Sequence, residues 1–495
     1  AVVSYAGVAT TLGIDENHHL THITYPDGRS YVFEYTPGGL LTAKVEPEGN
    51  RFEYVYDADG RLTTVTDEEG GHRQYVKSAY DNGDMLTEQV TGEGNVTSYL
   101  DRTDTTGTFT STITGPTGAA TTFVRSGDGL AVSKTRPCGM ALDFTYDLDP
   151  KFKFKYLKRR TVQTPSGLEN VTTKDRVYED TDTDGLTDLV TETVTINGKE
   201  TRSVHDTLQA IRTVTSPEGR TATTVYDPST LAPVSVAVPG LDETTYAYDA
   251  QGRLIGTRRN SRESSFTYNS QGFLESITGP TGNTAWYDYD PAGRITQVQR
   301  PDGGVVSFAY DGNGNMRVLT NPLLIDHGFS FNSVNKRTAY HTPLSGSYSY
   351  VYDKDRRLVQ TDFPSGNRIN NIYGQGRLAQ VQTPEGNVDL TYVGGTRVGT
   401  VTKGPESISY GYDGTLVISE TLSGTLNQST AYTYDNDFNI VDVTYAGGTE
   451  GYVYDADGLL AAAGGFTIGR NAGNGLPESV AGGALSVNRT FNGYA

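Results

Sequence analysis

Phe52-Glu53-Tyr54-Val55-Tyr56-Asp57-Ala58-Asp59-Gly60-Arg61-Leu62-Thr63-Thr64-Val65 decides the fold. Its aromatic residues alternate with period two up to a Tyr-Asp step, the pattern of a half-buried strand. Asp57 opens a turn with a side-chain acceptor, and Gly60 supplies the left-handed residue that such a turn needs. The return strand starts at Leu62 and places its next apolar residue three positions on, at Val65. Three is not a strand period, which predicts a bulge between them.

The same sentence recurs along the chain. Anchored on the Tyr of the Tyr-Asp step, the marks fall at Tyr226, Tyr248, Tyr268, Tyr289, Tyr310, Phe331, Tyr352, Tyr373, Tyr392, Tyr412, Tyr434 and Tyr454, with gaps of 19 to 22 residues. Earlier and more diverged marks stand at Tyr35, Tyr56, Tyr80 and Tyr146. Each return strand ends at a second turn, as in Pro26-Asp27-Gly28, Pro47-Glu48-Gly49, Pro217-Glu218-Gly219 and Pro384-Glu385-Gly386. A period near 21 residues means stacked supersecondary units, here two antiparallel strands and two turns. The expected fold is therefore all-β, an antiparallel meander without helices.

Two regions are expected: residues 1–225, diverged and carrying a hairpin insertion near 175–200, and residues 226–495, a regular array continuous with the first. Roughly 20 units at about 4.8 Å per strand make a ribbon on the order of 190 Å long. Native twist must curl such a ribbon. Closed in one turn its diameter would be about 60 Å, far beyond a barrel filled by side chains, so a hollow β-spiral shell or tube is expected.

The Tyr-Asp-x-x-Gly-Arg-Leu step and its recurrence resemble the RHS or YD-repeat proteins over nearly all 495 residues, most clearly from Tyr226 to Leu460. The resemblance implies a secreted or surface β-sheet spiralling into a shell. In bacterial polymorphic toxins and insecticidal toxin complexes that shell encloses a cargo polypeptide, and in teneurins it forms a barrel used in adhesion. Encapsulating members end their repeats in an Asp-Pro-x-Gly-type self-cleavage motif followed by a toxic domain. Asp290-Pro291-Ala292-Gly293 lies in mid-array and reads as an ordinary repeat turn. Residues after Leu460 read as one more degenerate unit, and Ala1-Val2-Val3-Ser4-Tyr5 as a strand. A segment or processed product of a longer protein is expected.

Composition narrows the function classes. A net charge of −19 fits a solvated β surface and speaks against nucleic acid as partner. The single cysteine, Cys138, excludes a disulfide framework within the chain, and no apolar run approaches the ~18 residues of a membrane span. With seven His and one Cys, no Ser-His-Asp or Cys-His arrangement follows from spacing. There is neither a phosphate loop nor a dinucleotide fingerprint. No enzymatic role and no catalytic residue are assigned.

Three local features stand out. Asp180, Asp182, Asp184 and Asp188 surround Gly185 in the spacing that opens a calcium loop, although Thr191 occupies the place of the final bidentate Glu. The competing reading is a plain hairpin tip. Lys151 to Arg160 is strongly basic and alternates Phe152, Phe154 and Tyr156 with lysines, which reads as a strand with a cationic outer face or as a patch for anionic polysaccharide or lipid headgroups. His18, His19 and His22 suggest a metal cluster until Asp15 to Leu20 is laid over the repeat turn, which puts His18 at the glycine position.

The expected function is a non-enzymatic extracellular shell, tube or filament at or outside the cell surface. Partners would be other copies, or the remainder of a longer chain, joined by strand pairing. The alternatives are a cocoon around a toxin or other cargo polypeptide, and a carbohydrate-binding or adhesion module.

Overall fold

In the computed structural model, residues 2–3, 8–344 and 346–494 are described. They form 46 strands, and among them there is no helix. Ala1, Ser4 and Tyr5 of the expected first strand lie outside the described residues, whereas Val2–Val3 pairs antiparallel with Thr10 and Ala9. The chain divides into two compact units. The first comprises Ala1–Leu100, Thr114–Thr117 and Ser264–Asp389; the second comprises Asp101–Ile113, Gly118–Glu263 and Leu390–Ala495. Each unit thus joins stretches that are distant in sequence.

The repeat unit is built as its residues dictate. Arg51–Tyr56 pairs antiparallel with Leu62–Asp67. Between them Asp57 N–H donates to the Arg61 carbonyl (2.9 Å), and Gly60 N–H to the Asp57 carbonyl (3.0 Å). Asp57 Oδ1 also accepts the amides of Asp59 (3.0 Å) and Arg61 (2.8 Å), while Gly60 sits at φ +76°. His18 takes the corresponding slot of its own turn at φ +65°.

The bulge lies where the three-residue spacing puts it. Tyr56 opposes Leu62 but Val55 opposes Thr64, so Thr63 is the extra residue. Because Tyr54 opposes Val65, the bulge returns both Leu62 and Val65 to the tyrosine face despite their odd separation. The same shift follows Tyr248 and Tyr434 in the second unit and Tyr289, Tyr310 and Tyr352 in the first.

The Tyr of the Tyr-Asp step does more than cover apolar surface. Its hydroxyl donates to the carbonyl that opens the preceding return strand: Tyr35 to Leu20 (2.8 Å), Tyr310 to Ile295 (2.9 Å) and Tyr352 to Arg337 (2.9 Å) in the first unit. In the second unit Tyr248 reaches Pro233 (2.9 Å), Tyr434 reaches Val417 (2.7 Å) and Tyr454 reaches Ile440 (3.0 Å). Each ring therefore spans neighbouring hairpins and ties them at the bulge.

Only six apolar residues are buried among those described: Ala43, Met140, Leu142, Val162, Ala210 and Val334. Packing is mostly lateral, between side chains on one face of a sheet. Among the described residues, one compact cluster of buried apolar side chains, Met140, Leu142 and Val162 with Cys138, Phe144 and Phe438 against it, lies in the second unit.

Replacing Tyr310 by Phe keeps the ring and removes one hydrogen bond, and should cost about 1 kcal/mol in urea unfolding. Burial raises the pKa of Tyr248, Tyr289, Tyr310, Tyr352 and Tyr434 above the ordinary 10.0. Groups with raised folded pKa values contribute stability that is complete below the unfolded value and is lost as pH rises through the folded ones. Loss of β-sheet dichroism should therefore accompany tyrosinate absorbance above about pH 10.

Candidate functional site

A strand meander exposes a row of turns along each edge of its sheet, and in each unit one such row docks on another. The best-defined contact of the first unit sets Asp353-Lys354-Asp355 on Thr91-Gly92-Glu93-Gly94-Asn95. Asp355 Oδ2 accepts the Thr91 hydroxyl (2.8 Å) and the Asn95 amide group (2.8 Å), and Oδ1 accepts the Glu93 backbone N–H (3.2 Å). Glu93 Oε1 in return accepts the Lys354 backbone N–H (3.0 Å). Glu93 and Asp355 are 262 residues apart in sequence.

The contact repeats with variations. At Glu48, the backbone N–H donates to Asn313 Oδ1 (2.9 Å) while the carboxylate accepts Gly312 N–H (2.5 Å). Glu69 accepts the Ser333 hydroxyl (2.8 Å) and amide (3.2 Å). Asp67, buried beneath this turn, pairs with Arg356 (2.8 Å) and accepts the Gly71 amide (2.8 Å). A cavity of about 260 Å³ lined by Phe52, Asp67, His72, Lys354 and Arg356 opens between these turns.

The second unit repeats the arrangement with its own residues. Asp455-Ala456-Asp457 sits on Ser216–Arg220: Glu218 N–H donates to Asp457 Oδ1 (3.0 Å), the Ser216 hydroxyl donates to Oδ2 (2.8 Å), and Glu218 Oε1 accepts Ala456 N–H (2.7 Å). Arg220 bridges Asp455 (2.9 Å) and Asp457 (2.5 Å). Ser166 donates its amide (2.9 Å) and hydroxyl (2.5 Å) to Asp413, and Asn197 and Lys199 donate to Asp437 (2.5 and 2.6 Å).

Three of these carboxylates, Asp355, Asp413 and Asp457, have lowered pKa values. Burial pushes Asp355 up, but hydrogen bonds from Thr91, Asn95 and the Glu93 amide, with the charge of Arg357, win and lower its pKa. Burial is likewise outweighed at Asp413 by Ser166 and Thr164, and at Asp457 by the Glu218 amide, Ser216 and Arg220.

The sequence-predicted sites lie elsewhere. Residues 180–188 close the hairpin of Glu169–Glu179 with Leu189–Ile196. Asp180, Asp182 and Asp188 converge, with one carboxylate oxygen from each within 4.8 Å of the others. Asp184 does not belong to that group; its Oδ1 caps the Leu186 amide (2.7 Å). Asp188 is buried and accepts the amide (2.5 Å) and hydroxyl (2.6 Å) of Thr181, which lower its pKa. Asp182 accepts the Asp184 amide, which favours its charge. Burial and the negative charges of Asp184, Asp188 and Asp180 prevail, and its pKa is raised.

The basic stretch corrects the sequence reading. Its strand begins only at Lys155, and Phe152 and Phe154 lie in the preceding loop. The cause is Asp149, fully buried, which accepts the amides of Lys151 (3.0 Å) and Phe152 (2.8 Å) and the Tyr178 hydroxyl (2.7 Å). Lys153 adopts φ +60°, which breaks the strand alternation. Of the N-terminal histidines, His19 bonds Asp15 (3.2 Å) and stacks on Tyr35, while His22 bonds Thr21.

An antiparallel meander with tyrosine-tied bulges and interlocking Tyr-Asp turns defines a YD-repeat protein. The chain belongs to the teneurin YD-shell family, whose model matches residues 3–495. No curated protein sequence matched it. Similar solved structures include the TcdB2-TccC3 crystal structure, at 11% identity and TM-score 0.48, covering 96% of this chain and 33% of that one. Others are TcdB2-TccC3-Cdc42, at 12% identity and TM-score 0.41 with 97% and 30% coverage, and a Photorhabdus luminescens Tc holotoxin pore, at 11% and 0.27 with 95% and 37%. The chain spans about a third of the length of those chains.

Asp355→Ala strips the acceptor from three donors at once and should cost about 1–3 kcal/mol in urea unfolding, with Glu93→Ala costing less because it orphans one amide. With the folded pKa values of Asp355, Asp413 and Asp457 depressed, the stability they contribute is present above the unfolded range near 3.8 and lost as pH falls through the folded values. An acid titration followed by dichroism should show the wild type failing below about pH 4, and Asp355→Asn should flatten that limb.

Proposed function

We propose that this chain is a non-enzymatic wall: a segment of a secreted or surface YD-repeat shell or tube whose function is to enclose or support. The observation that carries this reading is the turn-on-turn seam. Its Asp, Glu and Asn side chains, the residue types from which a hydrolytic site would be drawn, are committed as acceptors and donors between one row of turns and the next. Tyrosine hydroxyls of the Tyr-Asp step, such as those of Tyr310 and Tyr434, are committed too, each to a backbone carbonyl, which favours a wall over a carbohydrate-binding module. Membership of the teneurin YD-shell family supports the same reading.

Electron microscopy of the purified protein tests it through outline alone. Hollow particles of fixed size, or tubes with an axial repeat, are expected. Solid globules without a lumen would overturn the proposal.

A calcium ion at Asp180, Asp182 and Asp188 is a subsidiary proposal. Oxygens that share a calcium at 2.3–2.6 Å lie within about 5 Å of each other, and these three carboxylates meet that limit. A bound cation would also relieve the repulsion that raises the pKa of Asp182. Thermal unfolding in calcium should give a higher midpoint than in chelator, and Asp188→Asn should abolish the difference. An unchanged midpoint in the wild type makes the loop a plain hairpin tip.

A further inference from the structure

The first unit contains both halves of its own docking contact a second time, unused. Thr383-Pro384-Glu385-Gly386-Asn387 repeats the Thr-x-Glu-Gly-Asn of Thr91–Asn95, the acceptor turn in which Thr91, Glu93 and Asn95 all bond Asp355. Asp57-Ala58-Asp59-Gly60-Arg61 repeats the Asp-x-Asp-x-Arg of Asp353–Arg357, the turn that docks there. Its first four residues are also identical to Asp455-Ala456-Asp457-Gly458, which docks on Glu218.

Both spare turns are open. Pro384 to Asn387 and Asp57 to Asp59 are exposed. The Asp59 side chain retains 66% of its exposure, against 13% for Asp355 and 12% for Asp457 in their docked turns. Among the described residues, the Asp59 carboxylate pairs only with the neighbouring Arg61. Among the described residues, no hydrogen bond engages the Glu385 carboxylate, the Glu385 amide or the Ala58 amide. The Asp57 turn is nevertheless preformed, because Asp57 Oδ1 holds the Asp59 and Arg61 amides as Asp353 Oδ1 holds those of Asp355 and Arg357.

We propose that Thr383–Asn387 is the docking site for the Asp57–Arg61 turn of a second copy of this chain, so that copies join head to tail. The inference rests on the wall reading above and supplies its mode of assembly. In the contact, Glu385 N–H, the Thr383 hydroxyl and the Asn387 amide group donate to Asp59 of the next copy, and Glu385 accepts the Ala58 amide. The free turn is tighter than its docked counterpart. Thr383 pairs directly with Gly386 and its hydroxyl donates to the Gly386 carbonyl (2.9 Å), whereas Thr91 N–H reaches the carbonyl of Asn95 across an open turn, so docking frees that hydroxyl and shifts Thr383 from Gly386 to Asn387. The contact is heterologous: one copy offers its Thr383–Asn387 turn and the other its Asp57–Arg61 turn, so each keeps one turn free and growth continues into chains or rings of several copies rather than stopping at an isologous dimer.

Light scattering over a concentration series of the whole chain tests this. The wild type should grow from 53.5 kDa through successive multiples of that mass. Glu385→Ala alone and Asp59→Ala alone should each stay at one copy. Mixed in equal amounts they should form two-copy particles and nothing larger, because one variant keeps an intact acceptor turn and the other an intact docking turn. That complementation also shows that both variants are folded. Single variants that grow like the wild type overturn the inference while leaving the wall reading intact. A wild type that stays at one copy throughout also overturns it, and the wall reading then stands or falls on whether its particles are hollow in micrographs.

Discussion

A sheet with no second layer must find its cohesion within its own face, and the Tyr hydroxyl bonded to the carbonyl of the preceding hairpin is what provides it. Ladder hydrogen bonds hold each strand to its neighbours but do not fix how one hairpin tilts on the next. The bulge frees the return strand from regular pairing at one point, and a ring anchored there at its tip couples the local twist of adjacent units. Tyr248 on Pro233 and Tyr310 on Ile295 do this in different units with the same 2.9 Å geometry. Phe could fill the same space, but the carbonyl would lose its donor, which explains why Tyr recurs at this step of the repeat where Phe would serve a purely apolar role.

The second constraint is at the edges, where each turn leaves amides that no ladder satisfies. Docking one row of turns on another supplies partners for them. Glu at the third position of the lower turn is long enough to accept the amide of the upper one while its own amide is received by Asp or Asn, a reciprocal exchange seen at Glu48, Glu93 and Glu218. Asp27 occupies the same slot with a shorter side chain and meets Arg294 instead, at 3.6 Å. Acidic composition is thus partly a structural requirement: many of these carboxylates serve as acceptors at the seam.

Most of the fold was legible in the sequence. The period fixed the units, the left-handed slot explained His18, and the odd spacing of Leu62 and Val65 located the bulge. The basic stretch was misread because alternation of Phe and Lys imitates a strand, while a single buried acceptor, Asp149, redirects two amides into a loop. Asp184 was grouped with Asp180, Asp182 and Asp188 by spacing alone, although a carboxylate two residues before an amide is as readily an Asx cap. The seam went unseen because partners lie 235 to 289 residues apart, a distance set by small rotations from one repeat to the next that no local pattern encodes.

A signal for the seam was nevertheless present. In the first unit, the early turns carry Glu at the third position, at Glu48, Glu69 and Glu93, while the later turns carry Thr281, Asp302, Leu323, Leu344 and Ser365 in the same slot. The early residues are bonded to docked turns, whereas Leu323 and Leu344 are 78% and 91% exposed. A turn that receives a partner needs an acceptor long enough to reach an amide; a turn that receives none can hold a leucine, which would leave such an amide unsatisfied if one approached. The identity of one side chain per repeat therefore reports whether that turn is built for contact. By that criterion Glu385 is the exception among the later turns, an acceptor to which no described residue of its own unit donates.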